Sequence, residues 1–286
     1  MKFGLSSYSL AGALADGRLD IPGVVDWAAE NGSNSLELAD AGLGADLSRE
    51  PELRAELKDR AAGRGVQLTN YVVGADFSAP DRDAEVARIK QHVDAAHDLG
   101  IQRLRHDVVP WGWKPASHAE YLDAFEAVVP ACQDVADYAS GLGITTSIEN
   151  HGMAFNLSER LLQLVHAVDR ENFKITLDVG NFLCLDEVPE AAIARLLPHA
   201  SIVHLKDFYR RTKNPGEGWL KTEAGNYIQG AVLGLGDMDI ARIFGIFRDG
   251  GYEGQFSIEY EGREDCLTAV PAALANASRL WEESAA

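Results

Sequence analysis

Gly143-Ile144-Thr145-Thr146-Ser147-Ile148-Glu149 is a glycine followed at once by a short run in which apolar and polar residues alternate. Alternation is the mark of a half-buried strand, and glycine suits the left-handed stop of a helix because it has no Cβ to clash. The unit recurs along the chain. Asn31-Gly32 precedes Ser33 to Leu38, Gly65 precedes Val66 to Thr69, Gly100 precedes Ile101 to Leu104, and Gly250-Gly251 precedes Gln255 to Glu259. Three more strand-like runs, Lys2 to Tyr8, Phe173 to Asp178 and Ser201 to Lys206, bring the count to eight, with starts near 2, 33, 66, 101, 144, 173, 201 and 255. The usual interval is about 30 residues, the length of one βα unit. The segments between carry helical stripes such as Val86, Ile89, Val93 and Ala96. Eight such units predict an α/β fold, a single-domain (β/α)8 TIM barrel over residues 1–286, with an open doubly wound sheet as the alternative. The long interval from Phe208 to Asp239, with Asn214-Pro215-Gly216-Glu217-Gly218 and Gly234-Leu235-Gly236-Asp237, reads as an extended βα loop on the catalytic face.

Composition narrows the function. The chain has 286 residues and a net charge of −18, from 44 acidic against 26 basic side chains. A surface this acidic repels phosphate backbones, which argues against nucleic acid as a partner. No apolar run approaches the roughly 20 residues of a membrane span. The opening Met1-Lys2-Phe3-Gly4-Leu5-Ser6 does not read as a signal peptide, so a cytoplasmic protein is expected. Cys132, Cys184 and Cys266 are scattered and read as small buried hydrophobes. Gly234-x-Gly236 lacks the third glycine and the strand–turn–helix context of a dinucleotide site.

Strand parity then locates a site. In Ile144 to Glu149 the isoleucines face the helices, which turns Thr145, Ser147 and Glu149 toward the barrel axis. The same reasoning turns Asp178, His204, Lys206 and Glu259 inward, and Glu37 and Tyr8 on the first two strands. Strands five to eight therefore each deliver a polar residue at the C-terminal end, where this fold keeps its active site. Any one acid at a strand tip reads equally as a helix cap or half of a salt bridge. Three carboxylates and an imidazole converging together repel unless a cation sits between them. Glu149, Asp178, His204 and Glu259 are thus candidate ligands of one divalent metal ion; Mn²⁺ is expected, and Mg²⁺, Co²⁺ and Zn²⁺ are alternatives.

Ile148-Glu149-Asn150-His151-Gly152, Leu177-Asp178-Val179-Gly180-Asn181-Phe182, Val203-His204-Leu205-Lys206-Asp207 and Ile258-Glu259-Tyr260-Glu261-Gly262 resemble, in this order, the motifs of the xylose isomerase-like barrels. That superfamily includes sugar isomerases, ketose 3-epimerases, inosose dehydratase and isomerase, and the AP endonucleases. The resemblance covers essentially the whole chain and implies the same four residues as metal ligands. Two positions depart from the ketose 3-epimerase pattern: Asn181 stands where a His follows the ligand Asp, and Phe155 where a second Glu follows the first ligand. Arg210 does match the Arg found beyond the ligand His. The extra histidines of the nucleases are missing.

The resemblance implies a metal-dependent sugar isomerase or epimerase that removes a proton α to a carbonyl, with a Lewis-acid cation stabilising the enediolate. The alternative is a lyase, either inosose dehydration or β-elimination from a 3-keto-glycoside. A non-catalytic sugar-binding protein is the third reading. Glu149 and Glu259, from the outer strands of the arc, are candidate bases on opposite substrate faces, and His151 is a candidate acid or a structural residue. Glu37, Tyr8, Lys206, Arg210 and the paired Trp111 and Trp113 are candidate contacts to a small sugar or cyclitol. Lys206 reads equally as a partner of Asp207. His106 is the substrate candidate from the fourth strand, although Arg105, His106 and Asp107 do not alternate cleanly. A homo-oligomer or a partner subunit is compatible with the resemblance.

Overall fold

The computed structural model describes residues 3–285. Lys2, at the head of the expected first strand, lies outside the described residues, as do Met1 and Ala286. The barrel strands are β1 (Gly4–Ser6), β2 (Ser35–Ala39), β3 (Gln67–Val73), β4 (Arg103–His106), β5 (Thr145–Glu149), β6 (Phe173–Asp178) and β7 (Ala200–Leu205). After β7 come β8 (Asp207–Arg211), β9 (Leu220–Lys221) and β10 (Tyr227–Ala231), then β11 (Gln255–Ile258), which closes the barrel. Every barrel pairing is parallel, in the order β1-β11-β7-β6-β5-β4-β3-β2. A helix follows each barrel strand, from Ile21–Glu30 after β1 to Cys266–Glu283 after β11. The chain is a single-domain (β/α)8 barrel, and the open doubly wound sheet is excluded by closure.

The glycine stops behave as their chemistry requires. Gly65 and Gly100 cap the helices Pro51–Arg64 and Arg82–Leu99 at φ +67° and +75°. The helix Ser158–Val168 instead ends on Asp169 at φ 48°, so no glycine announces β6 in the sequence. Val86, Ile89, Val93 and Ala96 are buried against the barrel, as their spacing predicts. Phe3, Phe244, Phe247, Phe256 and Trp281 form an edge-to-face cluster between β1, β11 and the last two helices. The three cysteines are free and buried. Among the described residues no helix is long and apolar enough to cross a membrane.

Two expectations need correction. The first strand is only three residues long, and Tyr8 lies past it in the 3-10 turn Ser7–Leu10. The interval from Phe208 to Asp239 is not a plain loop: β8 pairs antiparallel with β10, and β10 with β9. Asp207 anchors this hairpin by accepting amide hydrogens from Phe208, Gly234 and Gly236 at 2.8, 2.9 and 2.9 Å. A Cβ on Gly230 would meet the Glu261 carbonyl oxygen at 2.4 Å, so that glycine lets the hairpin lie directly on the segment after β11.

Candidate metal centre

Glu149 ends β5, Asp178 ends β6, His204 lies one residue from the end of β7, and Glu259 follows β11. All four are buried, and one donor atom from each lies within 4.8 Å of the others. Asp178 Oδ1 accepts the amide hydrogens of Gly180 and Asn181, both at 2.7 Å, while Oδ2 has no hydrogen-bond partner. His204 Nε2 meets Glu37 Oε2 at 2.8 Å, and its Nδ1 is left without a hydrogen bond, 3.4 Å from Glu149 Oε1 and 3.6 Å from Glu259 Oε2. A buried polar atom without a partner costs about 1–3 kcal/mol. Two such atoms facing each other in a cage of oxygen and nitrogen donors fit a divalent cation, whose bonds to such ligands are about 2.0–2.6 Å long.

The surroundings complete the charge balance. Arg105 Nε lies 2.9 Å from Glu149 Oε2, and its NH2 group lies 2.8 Å from Asp107 Oδ1. Lys206 Nζ lies 2.8 Å from Glu259 Oε2, 3.2 Å from Glu261 Oε1 and 3.4 Å from Asp178 Oδ2. It does not pair with Asp207, which the hairpin has taken. Burial works against the charged form of Glu149 and Glu259, but Arg105 and His204 for the first, and Lys206 and His204 for the second, outweigh it and keep both below the usual carboxylate range. Asp178 is pushed up to about 7 by burial that Lys206 only partly offsets. Burial lowers His204, yet Glu37, Glu259 and Glu149 together raise it well above an ordinary imidazole.

The pH dependence of metal binding follows. A cation needs the unprotonated forms of Asp178 and His204, and the fold raises the pKa of both, that of Asp178 to about 7. Affinity for a divalent cation such as Mn²⁺ is therefore expected to fall with acidification, by about tenfold or more between pH 8 and pH 6. Titration calorimetry at several pH values measures this, and a pH-independent affinity would contradict it.

The other sequence candidates divide. Tyr8, Trp111 and His151 line a cavity of about 830 Å³ at the barrel mouth, with Tyr260, Glu261 and Arg18. His151 Nδ1 lies 3.1 Å from Asp107 Oδ1. Burial raises Asp107, but Arg105 and His151 outweigh it and keep the carboxyl below its usual range, so the carboxylate accepts from the imidazole.

Glu37 is not open to substrate. Its Oε2 is taken by His204 and by Asn70 Nδ2 at 2.7 Å, which makes it the residue that orients the imidazole. Glu37→Gln is expected to weaken Mn²⁺ binding by about 10–100-fold while leaving the fold intact, as other changes behind a metal-bound histidine do; unchanged affinity in a binding titration would remove that role.

Three candidates lie elsewhere. His106 alternates with Arg105 and so points into the helix layer, where its ring packs 5.3 Å from Phe77 and burial pushes its pKa down to about 4. Trp113 is half-buried against the core. Arg210 is exposed on the hairpin, and its guanidinium lies 3.6 Å from Asp186.

Sequence reading missed Arg105, Asp107, Asn181 and Glu261. Asn181 Nδ2 donates to Glu149 Oε1 at 3.1 Å. Strict parity along Arg103-Leu104-Arg105 could have found Arg105, since Leu104 faces out. A second cluster, Asp40, Asp46 and His92, lies outside the barrel. Tyr71 and Arg88 each approach a ring nitrogen of His92 to 2.9 Å, so the imidazole is already engaged and a cation sits beside it.

Comparison with known proteins agrees with this fold. The sequence model of the xylose isomerase-like TIM barrel matches residues 25–286. No curated protein is matched at a significant level. Among solved structures, the chain is similar to the probable 3-DHS dehydratase AsbF involved in petrobactin synthesis from Bacillus anthracis (TM-score 0.76, 19% identity, 97% of this chain and 99% of that one). It is also similar to D-psicose 3-epimerase from Clostridium cellulolyticum H10 (TM-score 0.73, 19% identity, 98% and 99%). A third is a xylose isomerase-like TIM barrel protein from Mycobacterium smegmatis in complex with magnesium (TM-score 0.72, 15% identity, 99% and 96%). At these identities the solved structures establish the fold alone. The match of the family model over residues 25–286 shows that the chain belongs to the xylose isomerase-like TIM barrel family.

Proposed function

We propose that the chain is a divalent-metal-dependent enzyme that removes a proton from the carbon α to a carbonyl in a small sugar-like or cyclitol substrate. The observation that carries this reading is the buried set Glu149, Asp178, His204 and Glu259 with its two unpartnered donor atoms, beneath an open mouth. A bound divalent cation would supply Lewis-acid stabilisation of the negative charge that develops on the carbonyl oxygen.

The residues of the chain divide the remaining work. Lys206, held between Glu259 and Glu261, places a positive charge beside the reacting oxygens. His151, with Nδ1 donated to Asp107, keeps Nε2 available at the mouth as acid or base. Asp107 fixes the ring much as the third group of a catalytic triad does. Trp111, whose ring centroid lies 6.5 Å from that of His151, offers a face for a sugar ring.

Two outcomes follow from one such deprotonation. An isomerase or epimerase returns the proton to carbon, and epimerisation needs bases on both faces. A lyase expels a β-leaving group: the C–H electron pair becomes the new C=C bond, the β C–O bond breaks, and the leaving oxygen takes a proton. Glu149 and Glu259 each have an oxygen clamped by a cation, while His151 is the unclamped base. Phe155, which stands where the ketose 3-epimerase pattern has a second Glu, is 1% exposed and packs with its ring centroid 5.5 Å from that of Tyr121. Elimination is therefore the favoured outcome, and isomerisation or epimerisation the second reading.

The test is incubation in D₂O with a panel of ketoses, inososes and 3-keto-glycosides, read by NMR. An unsaturated product with a released leaving group supports the lyase. Deuterium α to the carbonyl in a product of unchanged composition supports the isomerase or epimerase. No exchange and no product with any substrate, in metal-loaded protein, refutes both.

A further inference from the structure

We infer that the N-terminal mouth of the barrel, opposite the metal centre, is a binding site for a small oxyanion of the phosphate class. Among the described residues, Arg103 and Lys174 are the half-buried basic side chains for which no hydrogen bond, ion pair or aromatic partner is found. Every other half-buried lysine or arginine among the described residues has a partner, as Arg60 has Asp26 and Glu56, and Arg88 has Glu85. An unmatched guanidinium and an unmatched ammonium placed together repel each other and have given up part of their hydration.

They are placed together by the sheet. Arg103 opens β4 beside Thr145 of β5, and Lys174 of β6 is in register with Ser147. Thr145 and Ser147 face the barrel axis, so Arg103 and Lys174 do too. Arg103, Thr145, Lys174 and Ser201 line one cavity of about 640 Å³, together with Gly250 to Gly254. The Ser201 hydroxyl donates to the Ile175 carbonyl and keeps lone pairs only, whereas the Thr145 hydroxyl is free to donate. Glu253 is the one acid of the lining, and it pairs with neither cation.

The His166 and His199 rings meet edge to face at 5.6 Å on the same end of the barrel. Burial lowers the pKa of His199, and His166 and Lys174 lower it further, which places Lys174 within electrostatic reach of His199. Cations near helix C-termini often offset the helix dipole. Leu197 and Gly250, the C-caps of the helices Pro189–Leu196 and Ile240–Asp249, line the same cavity, but Arg103 and Lys174 stand on strands and hydrogen-bond to neither helix end. Two cations and a hydroxyl donor converging on one cavity match the several acceptor oxygens of a tetrahedral oxyanion.

The experiment is a thermal-unfolding titration of the intact protein with inorganic phosphate, against sodium chloride at equal ionic strength. Saturating phosphate is expected to raise the melting temperature by about 2–4 °C over the chloride control. The Arg103→Gln/Lys174→Gln double variant is expected to fold, by circular dichroism, and to lose the rise. The Arg103→Lys variant, which keeps the charge, keeps at least part of it. Glu259→Gln, which alters the metal centre alone, retains the full rise, so this inference stands or falls separately from the proposed activity. No phosphate-specific rise in the wild type, or a rise that survives the double variant or vanishes in Glu259→Gln, would overturn the assignment.

Discussion

Glu259→Gln is expected to lower turnover by about three orders of magnitude or more while substrate binding remains measurable. The substitution keeps the size and shape of the side chain and removes one negative charge. That charge lies 2.8 Å from Lys206 Nζ and 3.6 Å from His204 Nδ1, so it belongs to the donor set and to the balance around it. Binding survives in part because Tyr8, Trp111, His151 and Glu261 line the mouth independently of it. The measurement is kcat and substrate affinity, determined separately, with metal content recorded on the same sample. Unchanged turnover would sink the proposed chemistry. Lost turnover with lost metal would assign Glu259 to metal retention, and lost turnover with metal retained would assign it to the reaction itself.

Arg105→Met is expected to cost about 3–5 kcal/mol of unfolding free energy in metal-free protein, the usual loss when one partner of a buried ion pair is removed. Arg105 is 4% exposed and lies against both the buried Glu149 and the half-buried Asp107. Methionine fills part of the volume but deprives both carboxylates of their guanidinium partner. A bound divalent cation partly neutralises Glu149, so the loss is smaller in metal-loaded protein. Urea unfolding with and without Mn²⁺ gives both values. A loss below about 1 kcal/mol in the metal-free variant would mean that Glu149 and Asp107 relax toward water, and that Arg105 does not hold the cage together.

How much of this the sequence shows depends on whether a residue's neighbours alternate. Glu149, Asp178 and Glu259 each follow a run in which apolar and polar residues change places, and period two assigns them to the axis without ambiguity. Arg105 sits between Leu104 and a pair of polar residues, so the run carries little contrast, and His106 was as eligible as its neighbour until closure of the barrel fixed the parity. Glu37 was placed on the correct face, but no pattern within β2 reveals that His204, 167 positions away in the sequence, occupies its carboxylate.

The hairpin was illegible for a related reason. Tyr227–Ala231 includes a glycine and a glutamine, and its partner Asp207–Arg211 is mostly polar, so neither segment looks like a strand alone. Antiparallel backbone pairing and the amide cage around Asp207 define it instead. Tyr8 was displaced because β1 stops after three residues, which the apolar–polar rhythm of its surroundings does not announce. The fold and the donor set were thus readable from local chemistry. The clamps formed by Arg105, Lys206 and Asp107 depend on contacts between strands.

The most direct test of the central claim is the metal content of the purified protein, measured by mass spectrometry beside His204→Gln and Asp178→Asn. The account predicts one tightly held divalent ion per wild-type chain, restorable after chelation, and little or none in either variant. Wild-type protein that takes up no ion from Mn²⁺, Co²⁺, Mg²⁺ or Zn²⁺, or variants that hold it as firmly as wild type, would contradict the site.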